Sequence, residues 1–590
     1  MNTFKTLSSA MLAIALFSLP LSAQYDKRTR TVNMASYLSR YGTDRDKSPA
    51  VVQALNDCRR LGAKRLVFPK GTYYFRPDSL KGFMTHISNN GSYVRRFAFD
   101  LTGMRNLEID GGGSLFMFKG YVCPFYVNDA ADICLHDFNV DYVRTFNSEG
   151  HIEAVSDSTM TVRFSDEYPY YVDEQHRLRC VDDEGVEYPW YYLLEFDPKR
   201  METAYMVRDQ WTGSALPAED LGNGRVLLKK AGLKGTPGNV INFGIAYRTV
   251  PAITVTDSRD VSVKNVTLYH AGGMGVIAQR TRNILIDSLW VTPAPGKDRV
   301  TSVAADATHF VNCSGYLKIY NSHLAQQTDD ATNIHGVYYR IADVMKDGRI
   351  MVELANDAQY GFDIFKTKPR IEFVSAKSLV TYAHGKVKDY YAINERKFMV
   401  TLSTPAPANV KKGDVIAEEG NCPDVHIKGC YFGNNRARGL LLGSRNRMLI
   451  ENNVFHTPGA ALLLEGDGRY WFEQAGVRNV IIRHNTFDNC NFGVWGSAVI
   501  DTGSGIDKEY YDRSFYNRNL LIEDNTFRIH RSRLLHLYSV DGVNFRNNTL
   551  EIDRETYPST IDIVTESDLY HTDNCRNVSI GALNKLHSTK

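Results

Sequence analysis

Short runs with an apolar residue at every second position recur along the chain: Asp260-Val-Ser-Val-Lys264, Asn283-Ile-Leu-Ile-Asp287, Asp424-Val-His-Ile-Lys428, Arg447-Met-Leu-Ile-Glu451, Asn519-Leu-Leu-Ile-Glu523 and Gly542-Val-Asn-Phe-Arg546 among them. Period-2 alternation predicts β-strands with one buried face. The Asn, Asp or Gly at their boundaries supplies corners that tolerate left-handed backbone. Run starts lie 23 residues apart from 260 to 283, from 424 to 447 and from 519 to 542. Elsewhere the gap widens to 32, 33 or 40, where a corner loop is enlarged. Such a period with β character means stacked β coils, since a propeller blade needs about 40–45 residues. Asn452-Asn453, Asn485-Thr486, Asn525-Thr526 and Asn547-Asn548 recur at one place in successive repeats. The expected fold is all-β, a right-handed parallel β-helix with two inserted β-barrel-like modules.

The modules are the stretches without the rhythm, residues 144–248 and 336–420. Both are rich in alternating strands, such as Met160-Thr-Val-Arg-Phe164 and Phe398-Met-Val-Thr-Leu402. Coils then occupy 249–335 and 421–590, and residues 24–143 hold an N-terminal cap and the first coils. A helix is expected from Ser48 to Leu61, with Ser48 as N-cap, Pro49 at the first helical position, and Val51, Val52, Leu55, Cys58 and Leu61 on one side. It would cover the open end of the solenoid. Residues 1–23 read as a cleavable signal: Lys5, an apolar stretch from Ala10 to Leu21, and Leu21-Ser22-Ala23 before Gln24. A soluble periplasmic or secreted product is expected, with no membrane span.

Across 590 residues, 69 Lys and Arg stand against 67 Asp and Glu, a net charge of +2 that gives no electrostatic case for a nucleic-acid partner. Nine cysteines make no disulfide framework. Cys134, Cys313, Cys430 and Cys490 fall in or beside repeats, where a small apolar role is expected. No zinc spacing occurs.

The chemistry concentrates between Asp306 and Gly336. Asp329 and Asp330 follow Asp306 by 23 and 24 residues, one coil, so three carboxyl groups converge on one patch. Carboxylates on coils about 4.8 Å apart repel. An isolated corner Asp caps a turn, as Asp110 and Asp287 would; stability does not favour a triplet. Glycoside hydrolysis does, because it needs one carboxyl protonated and another ionised, and crowding drives their pKa values apart. Adjacent strand residues face opposite ways, so Asp329 and Asp330 can share a site only at a bend or bulge.

Asp306-Ala-Thr-His309, Gln327-Thr-Asp-Asp-Ala-Thr-Asn-Ile-His-Gly336, Gly466-Asp-Gly-Arg-Tyr-Trp-Phe-Glu473, Phe68-Pro-Lys-Gly-Thr-Tyr73 and the two insertions together resemble glycoside hydrolase family 110 over almost the whole mature chain. The resemblance implies an exo-α-1,3-galactosidase acting on blood-group-B-type or linear glycans, with inversion and without metal or cofactor. The order of the aspartates is also similar to that of polygalacturonases. By that analogy Asp329 is the general acid and Asp306 with Asp330 holds the water, the exchange of Asp329 and Asp330 being the other order. Arg280, His309, His335, Asp467, Trp471 and Glu473 are candidate substrate-binding residues, each with a structural reading beside it: a solvated corner Arg, hydrogen-bonded His, and a rim Trp. Trp290 and Trp495 are further stacking candidates.

The expected partner is an oligosaccharide or glycoconjugate with terminal α-galactose. Two rival functions remain. A uronate polysaccharide lyase would use Ca²⁺ on the aspartates and a base to abstract a proton. A glycan-binding β-helix would need no carboxylate cluster. The aromatic runs Tyr168-Pro-Tyr-Tyr171 and Tyr188-Pro-Trp-Tyr-Tyr192 suggest a homodimer contact.

Overall fold

The computed structural model describes residues 25–585 apart from 475, 504, 532 and 559–565; the signal segment 1–23 lies outside the described residues. The alternating runs form coils that pair in register. Arg259–Leu268 lies against Arg282–Val291 with Val261 beside Ile284 and Val263 beside Ile286, and Met448–Glu451 lies against Arg478–Arg483 in the same way. Coil upon coil, the strands build one sheet of 22 segments and another of 12, almost wholly parallel. Inward residues stack on their own kind. Phe432, Phe455, Phe487 and Phe527 form a column with ring centroids 4.8 to 5.2 Å apart. Each buried ring contributes on the order of 1.5–3 kcal/mol.

The recurring asparagines form a second column inside a corner. The Nδ2 of Asn453 donates to Oδ1 of Asn485, Asn485 to Asn525 and Asn525 to Asn548, each at 3.0 Å. Each amide also reaches a backbone carbonyl of a neighbouring coil. These buried amides are therefore satisfied, and the column repeats because every coil turns the same corner. Corner residues such as Asp260, Asn283 and Asn519 have φ near +55 to +62°, the left-handed region Asn and Asp tolerate.

The helix Ser48–Leu61 forms, with Pro in its first turn and Gly62 closing it at φ 58°. Lys47, not Ser48, is the N-cap: the Ser48 hydroxyl is taken by the backbone of Arg76. Ala50, Val51, Ala54, Leu55 and Cys58 join the solenoid core, while Val52 faces outward. Cys313, Cys430 and Cys490 are buried free thiols, and Cys134 is half-buried.

The two insertions differ. The second closes a six-stranded antiparallel barrel from Tyr339–Val344, Ile350–Glu353, Lys397–Leu402, Thr381–Ala392, Arg370–Val374 and Val415–Glu418. The first, running from Ser148–Val155 to Val240–Ile245, is an eight-stranded antiparallel sheet that does not close among the described residues. Tyr168, Tyr188 and Trp190 of its aromatic runs are buried; Tyr171 and Tyr191 point outward. Arg200 and Glu202 fasten this module to the coils: Glu202 is buried and accepts from His456 Nε2 at 2.8 Å and from the Tyr557 hydroxyl at 2.7 Å.

Candidate active site

Asp329 and Asp330 lie in the bend between the strands His323–Ala325 and Thr332–His335. Strand alternation does not apply there, so both side chains serve one site. Thr308 pairs with Thr332, which sets Asp306 beside Asp330 on the neighbouring coil, and the Ala307 N–H donates to the Asp330 carbonyl at 3.1 Å. One carboxyl oxygen from each of Asp306, Asp329 and Asp330 lies within 4.8 Å of the others, and all three residues are buried.

Three guanidinium groups enclose them. Arg438 stands on the next coil, since Thr332 pairs with Leu440. Its Nε and Nη2 reach the two oxygens of Asp330 at 2.9 and 2.8 Å, and its backbone N–H adds a third bond at 3.0 Å. Asp329 accepts from Arg436 Nη1 at 2.9 Å on one oxygen and from Arg248 on the other. Arg436 also forks onto Asp209 at 2.8 and 3.1 Å and lies over the Trp495 ring. Asp209 belongs to the first insertion, which thus supplies part of the wall.

The three carboxyl groups differ in charge. Burial, then the neighbouring Asp329 carboxylate, pushes Asp306 up to about 8. Burial acts on Asp329 as well, but Arg436, Arg248 and Arg438 outweigh it and hold the group down to about 2. Asp330 is raised by burial to about 7 against the pull of Arg438. Near neutral pH the site holds a carboxylate at Asp329, a protonated carboxyl at Asp306 and a poised group at Asp330.

His309 and His335 sit behind Asp306. His309 Nδ1 meets Asp306 Oδ2 at 2.6 Å, and His335 Nδ1 donates to the Gly336 carbonyl at 2.8 Å. Glu473 Oε1 lies 3.6 Å from His335 Nε2, at the end of this string. Burial pushes His309 down to about 4.

The remaining candidates lie elsewhere. Arg280 forks onto Asp257 at 2.6 and 3.0 Å and stacks over Phe362, a half-buried structural pair away from the aspartates. The coil partner of Asp306 is Met274, because Val276 pairs with Thr308; Arg280 is displaced along the strand to the next corner. Asp467 caps a turn, its carboxylate accepting the N–H groups of Arg469, Tyr470 and Trp471. Trp471 is 52% exposed, with the Tyr470 ring edge-on against it. Trp290 stacks on His323 on the outer surface of the coils.

Known proteins match most of this chain. "GLAA-B beta-barrel domain I" fits residues 148–241, "GLAA-B beta-barrel domain II" residues 349–416, and "Right handed beta helix region" residues 415–575. The chain is similar to Alpha-1,3-galactosidase A of Shewanella woodyi, 34% identical over 89% of this chain and 86% of that one. This chain belongs to glycoside hydrolase family 110. It is also 31% identical to Alpha-1,3-galactosidase B of Bacteroides thetaiotaomicron, over 95% of this chain and 91% of that one.

In this family 110 chain the residues that sequence reasoning missed are the cations. Arg438 stacks directly on Asp330 but follows it by 108 residues, because the second barrel separates the two coils. Arg248 and Asp209 come from the first insertion, where no period marks them. Three clustered carboxyls could also serve a divalent cation. The donor set does not fit one: both oxygens of Asp329 and both of Asp330 already accept arginine N–H groups, and three guanidiniums supply the neutralising charge.

Proposed function

We propose that this protein is an exo-acting α-1,3-galactosidase that hydrolyses terminal α-1,3-linked galactose with inversion. The observation that carries the reading is the buried triplet in which arginines keep Asp329 ionised while Asp306 and Asp330 are raised. It sits in a chain related nearly end to end to proteins named alpha-1,3-galactosidases. Charge supports the second of the two orders open from the sequence: Asp330 donates to the glycosidic oxygen, and Asp329 with Asp306 holds the attacking water. A carboxylate shared by two guanidiniums has little proton to give; one near 7 is matched to that task.

In the single displacement, water attacks C1 as the C1–O bond breaks, Asp330 gives its proton to the departing oxygen, and Asp306 takes the proton from water as it hands its own to His309 Nδ1 across the 2.6 Å contact. Arg248 and Asp209 from the first insertion reach Asp329 and Arg436, and the second barrel leaves the coil at Gly336, so both modules stand beside the triplet. This supports action on chain ends.

The test is proton NMR of residues 24–590 in EDTA with an α-1,3-linked digalactoside, following the anomeric signal from the first minutes. β-Galactose appearing first supports the proposal. The carboxyl separation is nearer the roughly 5–5.5 Å usual for retention than the 6.5–9.5 Å usual for inversion, so α-galactose appearing first would replace inversion by retention. No galactose, with unsaturated products from a uronate polymer once calcium is added, would overturn the hydrolase reading.

A further inference from the structure

Away from the aspartates, a cleft of about 210 Å³ between the second barrel and the C-terminal coils is lined by Arg445, Arg478, Arg513, Arg518 and Arg576. Leu379–Thr381 and the rings of Phe515 and Tyr516 complete it, and no carboxylate is among its lining residues. Arg478 and Arg518 are direct partners on adjacent parallel strands. Like charges so placed destabilise a sheet.

Elsewhere on these coils the same problem is solved with acid. Arg483 pairs with Glu451 at 2.7 Å and Arg546 with Glu523 at 2.7 Å; in the cleft itself Arg576 is held at 2.7 Å by Asp541, which is also the strand partner of Arg518 on its other side. Arg445 is likewise held by Glu372. Arg478 makes no ion pair or hydrogen bond among the described residues, and the Arg518 side chain reaches only the Phe515 carbonyl at 3.3 Å. Partial burial and the repulsion of Arg445 and Arg518 lower the Arg478 guanidinium from its ordinary value.

We infer that this cleft is an oxyanion subsite, which takes a sulfate ester or carboxylate carried on a glycan. Guanidinium groups bind such anions through paired N–H bonds. The volume is below the roughly 300–1,000 Å³ of pockets that enclose whole ligands, so it suits a charged substituent and not a sugar chain. The glycan as carrier rests on the function proposed above; the anion site itself does not.

Inorganic sulfate is the first probe. Thermal unfolding of residues 24–590 is followed across a sulfate titration and across chloride at matched ionic strength. Sulfate stabilises proteins generally by exclusion, so the Arg478→Gln and Arg518→Gln variants are the control. The expected result is a saturable rise in unfolding temperature that each variant loses while hydrolysing the digalactoside at the parent rate. In chloride, Arg478→Gln should unfold at a higher temperature than the parent, because the substitution relieves a repulsion; a merely structural arginine would give the reverse. A sulfate rise kept by both variants, or an Arg478→Gln variant less stable in chloride, would overturn the inference whatever the galactosidase assay gives. Titrating galactose 6-sulfate against N-acetylneuraminic acid then separates sulfate ester from carboxylate.

Discussion

The Nε2 atoms of His309 and His335 face each other at 3.0 Å. Because His335 Nδ1 must donate to the Gly336 carbonyl, one proton has to lie between the two facing nitrogens. With His309 neutral, that proton sits on its Nε2. His309 Nδ1 is then a bare acceptor, and the proton of the 2.6 Å contact sits on Asp306 Oδ2. Asn89 Nδ2 lies 3.2 Å from the same His309 Nε2, so this tautomer has the Asn89 amide turned with its oxygen toward His309; Asp306 then holds the proton that its burial also favours.

His309→Asn removes the proton partner of Asp306 and leaves a donor. Asp306 can then become a carboxylate only by losing its proton to solvent, against a value near 8. The pH optimum of kcat/KM should move to higher pH, with a larger loss at pH 6 than at pH 8. Profiles recorded from pH 5 to 9 that stay parallel to the parent would remove His309 from the proton path.

Asp306→Asn mimics the protonated carboxyl and should stabilise the fold. The sign follows from linkage: a carboxyl whose folded value is raised contributes fully below its unfolded value of about 3.9 and loses that contribution as pH rises through about 8. At pH 8 the variant should gain on the order of 1–2 kcal/mol in urea unfolding, while at pH 4 the two proteins should converge. Equal or lower stability at pH 8 contradicts the charge state assigned to Asp306.

Asp330→Asn and Asp329→Asn should part company on the leaving group. If Asp330 is the donor, its variant should lose on the order of 10²–10⁴-fold on the digalactoside and much less on a 2,4-dinitrophenyl α-galactoside, which departs without protonation. Asp329→Asn should lose comparably on both. The opposite pattern restores Asp329 as the acid.

Arg280→Ala should leave kcat and KM within about twofold and cost on the order of 1–2 kcal/mol of stability, since Asp257 is left half-buried with Lys366 at 3.3 Å as its remaining ion-pair partner among the described residues. A tenfold rise in KM without loss of stability would return Arg280 to the substrate site.

The coils and the triplet were legible because period-2 strands and a 23-residue repeat are local signals. Asp306 and Asp330 differ by one coil, and the bend that lets Asp329 join them was required by strand geometry. Arg280 misled because an offset of 26 residues resembles one coil, whereas strand register assigns that place to Met274. Arg438 was hidden for the converse reason, one coil away in space and 108 residues away in sequence. Sequence period finds neighbours only where no module intervenes. Asp209 and Arg248 lie within or at the end of such a module, and nothing local marks a residue whose partner is on another body. Ser48 failed as a cap because Arg76 claimed its hydroxyl, a tertiary contact that a helix-start pattern does not contain.

The second barrel leaves the solenoid just after His335 and returns by Asp424, whose strand lies directly on that of Tyr316. To the stacked coils the whole barrel is therefore one long corner. Its sequence can be lengthened, shortened or exchanged for another closed module without changing the register between Asp330 and Arg438. A change of length in that compartment leaves the charge balance of the carboxyl groups untouched, since none of the charges that set it belongs to the barrel.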